Sequence, residues 1–427
     1  MLLRERLSGV RIAGVIALCV ALVSVTASRA TGETMDIASQ APQEFTARIP
    51  TEYLERTMSL YGRKALSKAE VRSAMRAATS AGVDAFPVRA PMLAMVEYAR
   101  ATSGSDVGTR VDKKVVRRGW RVPMQAVALP TDLVRRIAGT SVANVLDDGA
   151  IAMGATSARL RNSKVGDVVT VLDRGNRRKS FVVGVIVPDV FTGEGDLLIS
   201  DDTALRLGVR SIRRVTFIGF NDESQVRRSL SRRGIEIGAM YRLSHSWGRK
   251  NPDTSLGLAK VKEMFGEFEY QKVNGKGVLV DSRWRSRSIA HRITYSDVQL
   301  NHNCHVRIVD AIQKALTEIR EKGLEKEIDL DNSNRYGGCY VGRFSRLAKD
   351  NFGPISRHAW GMAFDINTDT NAQGKIPQMN CDVVRIFRKH GFAWGGNLLI
   401  PDGMHFEYVG EPRDTIDYPS TYCPNKN

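Results

Sequence analysis

The sequence predicts a protein of mixed helices and strands, with a β-rich middle region and a separate C-terminal region that carries the chemistry. Three observations predict this. Between about residues 88 and 240, short β-branched runs alternate with turn residues, the pattern of paired strands. All seven histidines and four of the five cysteines lie beyond residue 240. The composition of the 427-residue chain, 42% hydrophobic and 26% charged, is globular and leaves room for about two or three domains. Wholesale disorder and a multi-span membrane protein do not fit it.

Residues 1–30 read as a signal peptide or signal anchor. Arg4, Arg6 and Arg11 precede an apolar run from Ile12 to Val25, and Ser28-Arg29-Ala30 forms an A-x-A-like end. The run falls short of the ~20 residues that span a bilayer comfortably, so cleavage is favoured over a single N-terminal membrane anchor. Leu18 before Cys19 is not the small residue that lipid attachment requires. Residues 31–87 read as a polar and helical N-terminal segment, in which Ser67 caps a run with Val71, Met75 and Ala78 at helical spacing.

Residues 88–240 read as a β-rich mixed domain. Val168–Leu172 and Phe181–Val187 flank the turn Asp173-Arg174-Gly175-Asn176, which predicts a hairpin. Another strand run, Arg214–Phe220, precedes a very basic helical stretch with Arg227, Arg228, Arg232 and Arg233. The order of Lys164-Val165-Gly166-Asp167, the hairpin, Leu197–Ser200 and Leu205 resembles the extracytoplasmic core domain of exporter-type ABC permeases. Residues 241–275, broken at Gly248-Arg249-Lys250-Asn251-Pro252, read as a connector, and residues 276–427 as the domain that holds the site.

Lys and Arg number 63 against 46 Asp and Glu, a net charge of +17. Such a balance points to an anionic partner. Export argues against nucleic acid and for an anionic cell-envelope surface, acidic wall polymer or phospholipid headgroups; a merely solvated basic surface is the competing reading. With Cys19 set aside, Cys304, Cys339, Cys381 and Cys423 are an even number, as expected of an oxidising compartment. Of three possible connectivities we expect chain neighbours to pair, Cys304 with Cys339 and Cys381 with Cys423. A zinc-cysteine site finds no C-x-x-C spacing.

The decisive stretch is Ser356-Arg357-His358-Ala359-Trp360-Gly361-Met362-Ala363-Phe364-Asp365, followed by Asp402-Gly403-Met404-His405-Phe406-Glu407. His358, Asp365 and His405 supply two imidazoles and one carboxylate, a metal-ligand set that fits Zn2+ and leaves a fourth position open for catalysis. Alternation from Met362 to Ile366 predicts a strand carrying Asp365, and His405 and Glu407 share one face of another. Singly, each residue has an ordinary reading: a turn histidine, a loop-capping aspartate, a Pro-Asp-Gly turn. Trp360 and Trp394 read as core. Together the residues form a pattern.

At these positions the sequence resembles the zinc D-alanyl-D-alanine carboxypeptidases of the VanY type and their L-alanyl-D-glutamate peptidase relatives. Their signature is S-x-H-x-x-G-x-A-x-D followed by D/E-x-x-H, met by Ser356, His358, Gly361, Ala363, Asp365, Asp402 and His405. Looser similarity runs from about Gly277 to Val409, through Val280–Trp284, a helix from about His305 to Lys322, and Tyr336–Arg343. The resemblance implies an α+β chain whose C-terminal domain has the Hedgehog/DD-peptidase fold, with Zn2+ on His358, Asp365 and His405. It implies Asp402 as general base and Arg343 as the cation that stabilises the oxyanion, with Arg335 second. By chemistry alone Glu407 rivals Asp402; the resemblance makes Glu407 a group that orients a ligand.

The sequence therefore predicts an exported zinc metallopeptidase that hydrolyses peptidoglycan stem peptides, most simply a D-alanyl-D-alanine carboxypeptidase. The upstream segments would position it in the cell envelope. Two alternatives stand beside it: a peptidoglycan endopeptidase, and a wall-binding module of the same fold without turnover.

Overall fold

The computed structural model describes residues 56–101, 111–245, 251–290, 293–295, 298–300, 303–329, 336, 338–346, 348 and 353–425. The expected signal segment, Gly248-Arg249-Lys250 and Arg335 lie outside the described residues. No helix among the described residues is long and apolar enough to cross a membrane.

Ser67 starts the helix Lys68–Ser80 with a full capping box: Glu70 N–H donates to its Oγ while the Glu70 carboxylate accepts from the Ser67 N–H. The helical reading of residues 31–87 is incomplete, however, because strands flank this helix. Thr57–Leu66 and Asp84–Val88 join Ile212–Ile218 and Tyr241–His245 in a four-stranded antiparallel sheet, with Thr57–Leu66 and Ile212–Ile218 at its centre. Met58 and Leu60 alternate with Ser59, so that one face packs Phe217 against the helices Lys68–Ser80 and Glu223–Ser231. On the other face Ser59 and Thr216 hydroxyls meet at 2.7 Å. The partner strands are more than 120 residues away in the chain, which a local pattern does not reveal.

The hairpin Val168–Leu172/Arg178–Val187 forms antiparallel, as the turn residues predict. It belongs to a ring. Strands Met92–Ala101, Val122–Leu129, Leu197–Ser200, Ile151–Gly154, Arg178–Val187 and Val168–Leu172 pair in that order, and the last pairs back onto the first. Closure removes most exposed strand edges. The strand Val122–Leu129 shows how both faces are buried: Met124, Ala126 and Ala128 point to the ring's interior core, whereas Val127 and Leu129 pack against the helices Thr131–Ala138 and Thr140–Asp147. Two of the pairings are parallel, and the continuous apolar runs of these strands follow from two-sided burial.

The segment 241–275 is not a free connector. Tyr241–His245 is a sheet strand. Leu258–Phe265 is a helix whose Leu258, Val261 and Phe265 lie in the C-terminal core, and Tyr270–Lys272 pairs with Val278–Val280. Asp253 is buried and accepts two bonds from Arg388, at 3.0 and 2.6 Å. The same segment docks on the upstream ring. Lys262 Nζ donates to both oxygens of Asp196 at 3.0 and 3.2 Å, with both side chains fully buried. Burial alone would raise the Asp196 carboxyl; Lys262 and Arg161 overcome it and hold it low. A Cβ on Gly257 would sit 2.4 Å from the Glu194 backbone, so close approach requires glycine there.

The C-terminal region is a mixed helix and strand unit built on a three-stranded antiparallel sheet, with His405–Tyr408 between Ala363–Asp365 and Phe392–Trp394. Helices Val309–Glu321 and Cys381–Lys389 pack on each other, and the aromatic cluster Phe364, Phe387, Phe392 and Phe406 fills the interior. Trp360 and Trp394 are buried core residues, as expected. The cysteines pair as chain neighbours, Cys304 with Cys339 and Cys381 with Cys423.

Candidate active site

Ser356 opens a short 3-10 turn, Arg357–Trp360, by accepting the His358 N–H on its Oγ at 3.4 Å. Gly361 ends the turn with φ of +63°, and a Cβ there would meet the His305 nitrogen at 2.9 Å, so the position demands glycine. The chain then enters the strand Ala363–Asp365. Its register places Asp365 directly opposite His405, and Ala363 opposite Glu407. Sequence-distant residues are thereby cross-strand neighbours.

The three expected ligand residues converge, with one donor atom from each lying within 4.8 Å of the others. Asp365 Oδ1 is 3.0 Å from His405 Nδ1 and 3.3 Å from His358 Nε2. His358 Nδ1 lies 3.0 Å from the Cys339 carbonyl, which only accepts, so the proton belongs on Nδ1 and the lone pair on Nε2. That Nε2 is buried and, despite the nearby carboxylate, has no hydrogen bond of acceptable geometry. For His405, Nδ1 meets Asp365 Oδ1 at 3.0 Å and Nε2 faces Glu407 Oε2 at 3.5 Å; both oxygens only accept, so Nδ1–H donates to Asp365, and a cation that displaced this proton would find the Nδ1 lone pair there. An orphaned imidazole nitrogen, a second imidazole nitrogen that can give up its proton and a carboxylate oxygen, turned to one point, are a donor set that fits a zinc ion.

The electrostatics agree. Burial would raise Asp365, yet His358 and His405 beside it hold it well below the carboxylate range. Burial would lower His405, yet the Asp365 and Glu407 carboxylates push it up to about 10. Two carboxylates against neutral imidazoles are a surplus of negative charge, which a proton on His405 or a divalent cation offsets.

Asp402 sits in a turn held at three points. Its N–H donates to Gly395 O at 2.9 Å, its carbonyl accepts from His405 N at 3.0 Å, and Trp394 Nε1 donates to Gly403 O at 2.8 Å. Gln373 Nε2 donates to Asp402 Oδ2 at 2.9 Å, whereas Oδ1 is buried without a partner. Burial pushes the Asp402 carboxyl up; nearby His405 opposes this and Asp365 adds to it. Arg343 lines the same cleft of about 410 Å3 as His358 and Asp365. Burial lowers its guanidinium, and Arg346 adds to that while Asp365 and Asp402 oppose it. The sequence reading missed Gln373 and Arg346, which no motif flags because loop geometry alone brings them in. Glu407 is held down to about 2: burial opposes this, and His405 and Arg357, the latter 3.9 Å away, prevail.

A search of curated proteins finds no match to this chain. Among solved structures, the extracellular domain of the noncanonic ABC-type transporter YknZ from Gram-positive bacteria aligns with a TM-score of 0.27 and 10% identity, covering 44% of this chain and 99% of that one. A likeness at that level assigns nothing here. The family of D-alanyl-D-alanine carboxypeptidases matches residues 350–408. That stretch contains His358, Asp365, Asp402 and His405, so the region that carries the site is matched to the D-alanyl-D-alanine carboxypeptidase family.

Proposed function

We propose that this protein is an exported, zinc-dependent peptidase that hydrolyses peptidoglycan stem peptides, removing a terminal D-alanine. One observation carries the reading: three donor atoms, including a buried and unpartnered His358 Nε2, meet within 4.8 Å inside a stretch matched by a carboxypeptidase family. In this reading His358 Nε2, Asp365 and His405 Nδ1 hold the ion. The chemistry zinc supplies there is Lewis acidity, which polarises the scissile carbonyl and makes water a nucleophile at neutral pH.

The rest falls to the chain's own side chains. Asp402 takes a proton from the attacking water on its free Oδ1 and hands it to the leaving amine nitrogen. Gln373 fixes Oδ2, which keeps Oδ1 as the proton-accepting atom. Arg343 offsets the negative charge that develops on the carbonyl oxygen. Glu407, engaged with His405 Nε2, orients that imidazole. The paired cysteines support an oxidising compartment, and the basic, apolar N-terminal segment supports export.

The test is mass spectrometry of a stem pentapeptide and of intact muropeptides after incubation with the full chain. Loss of one terminal alanine is the expected product. Internal cleavage would replace the carboxypeptidase by an endopeptidase, and stoichiometric zinc without any product would leave a binding module.

A further inference from the structure

A second cleft, about 560 Å3, opens beside the first. One wall is the upstream four-stranded sheet, through Arg63 and the strand Tyr241–His245; the other is the C-terminal loop Gly374–Ile376 with Leu398 and Pro401. The two clefts share a partition. Ala372 and Met404 line the cleft of the site, whereas Gly374 and Pro401 line the second and are joined by a Gly374 N–H to Pro401 carbonyl bond of 2.6 Å. Gln373, within that partition, donates to Asp402.

The walls are unbalanced in charge. Arg63 and Lys375, one from each side, have no carboxylate partner among the described residues. Arg242 is bonded to the Asn397 carbonyl rather than to an acid. The acid in the lining, Glu223, is engaged by Arg227 at 2.6 Å. Between the cations lie apolar and aromatic surfaces: Ile376 is 72% exposed, and Tyr418 faces the cleft. Beyond Arg227 the exposed Arg228, Arg232 and Arg233 extend the positive field along the same helix end. This charge is regional. Residues 51–250 hold 34 Lys and Arg against 20 Asp and Glu, a net +14, whereas residues 251–427 hold 24 against 22, a net +2.

We propose that this cleft is the docking groove for the polymeric substrate, a glycan strand bearing carboxylate-rich stem peptides, which lies between Arg63 and Lys375 and presents one peptide to the site across the partition. The proposal rests on the peptidase reading and adds where the remainder of the polymer is held. Cations on both walls attract the stem-peptide carboxylates, and tyrosine and aliphatic faces suit sugar rings. The upstream region thus supplies the charge for a site that has little of its own.

The test is co-sedimentation of the full chain with purified peptidoglycan sacculi, comparing the wild type with the double variant Arg63→Glu/Lys375→Glu. Charge reversal on both walls is expected to weaken sacculus binding about tenfold, and wild-type binding is expected to fall with added salt. The loss on sacculi should exceed any loss of turnover on a soluble pentapeptide by a similar factor. Arg63→Lys/Lys375→Arg, which retains the charge, should bind as the wild type does. Unchanged sacculus binding in the reversed variant would overturn the proposal. So would a reversal that weakens binding to phosphatidylglycerol vesicles but not to sacculi, which would make the surface a membrane contact. Failure of the wild type to cleave the pentapeptide would sink the peptidase reading instead, and the sacculus comparison would still decide the groove.

Discussion

The upstream ring and sheet and the C-terminal unit divide the labour differently. The C-terminal unit holds both disulfides, the converging His358, Asp365 and His405, and almost no net charge. The upstream region contains no comparable group of metal-binding side chains among the described residues, yet carries most of the positive charge. Chemistry needs a few atoms fixed to within fractions of an ångström, which a small unit closed by two disulfides provides. Holding a polymer needs a broad field, which a larger surface provides.

The comparison breaks first at the ligands. His358→Ala should abolish stoichiometric zinc binding and reduce hydrolysis to background, while the upstream region keeps its fold; metal analysis and circular dichroism together check this. Retained zinc at full stoichiometry would move the metal elsewhere.

The join between the regions comes next. Lys262→Ala leaves Asp196 buried with its main cation gone, and breaking such a pair typically costs about 3–5 kcal/mol. Denaturant unfolding of the full chain should show a loss of that order, with the activity per folded molecule largely retained. A change below about 1 kcal/mol would mean that Arg161 alone balances Asp196.

Gln373→Ala should lower kcat about tenfold with smaller change in KM, in the range typical of groups that orient a site residue. Zinc affinity should hold, because Gln373 touches Asp402 and none of the three ligands. Gln373→Glu should fall further, since it sets one carboxylate against another. Equal losses in kcat and zinc affinity would mean that the loop itself had collapsed.

The smallest effect concerns acid stability. Burial would raise Glu318, yet Lys322, Lys389 and His390 hold it down to about 2. A depressed carboxyl stabilises the fold above its unfolded pKa, near 4.5, and that contribution is lost as pH falls from there through about 2. Glu318→Gln should therefore cost about 1 kcal/mol at neutral pH, after screening by solvent, and nothing at the acid end. A pH-independent loss would assign the effect to packing.

Legibility in the sequence follows the range of the interactions. The capped helix after Ser67 and the hairpin around Asp173–Asn176 depend on neighbours a few residues apart, and the alternation that predicts the strands carrying Asp365 and His405 is equally local; all are present. The strand pairing of Thr57–Leu66 with Ile212–Ile218 and the closure of the ring depend on partners far along the chain, so neither is visible in a local pattern. The helix Leu258–Phe265 was hidden by the Gly and Pro residues that precede it. For the site, the histidine and aspartate types together with the family signature pointed to three residues that the fold brings together. Gln373 and Arg346 are ordinary loop residues in sequence and become interesting only through what they approach.

The group at His358, Asp365, Asp402 and His405 is proposed as a zinc-dependent hydrolytic site. The most direct measurement follows metal content and pentapeptide turnover in the same samples of full-length wild type and Asp402→Ala, with and without chelator. One zinc per chain is expected in both proteins, with turnover in the wild type alone and its loss on chelation. Turnover that survives either the chelator or the loss of Asp402 would contradict it.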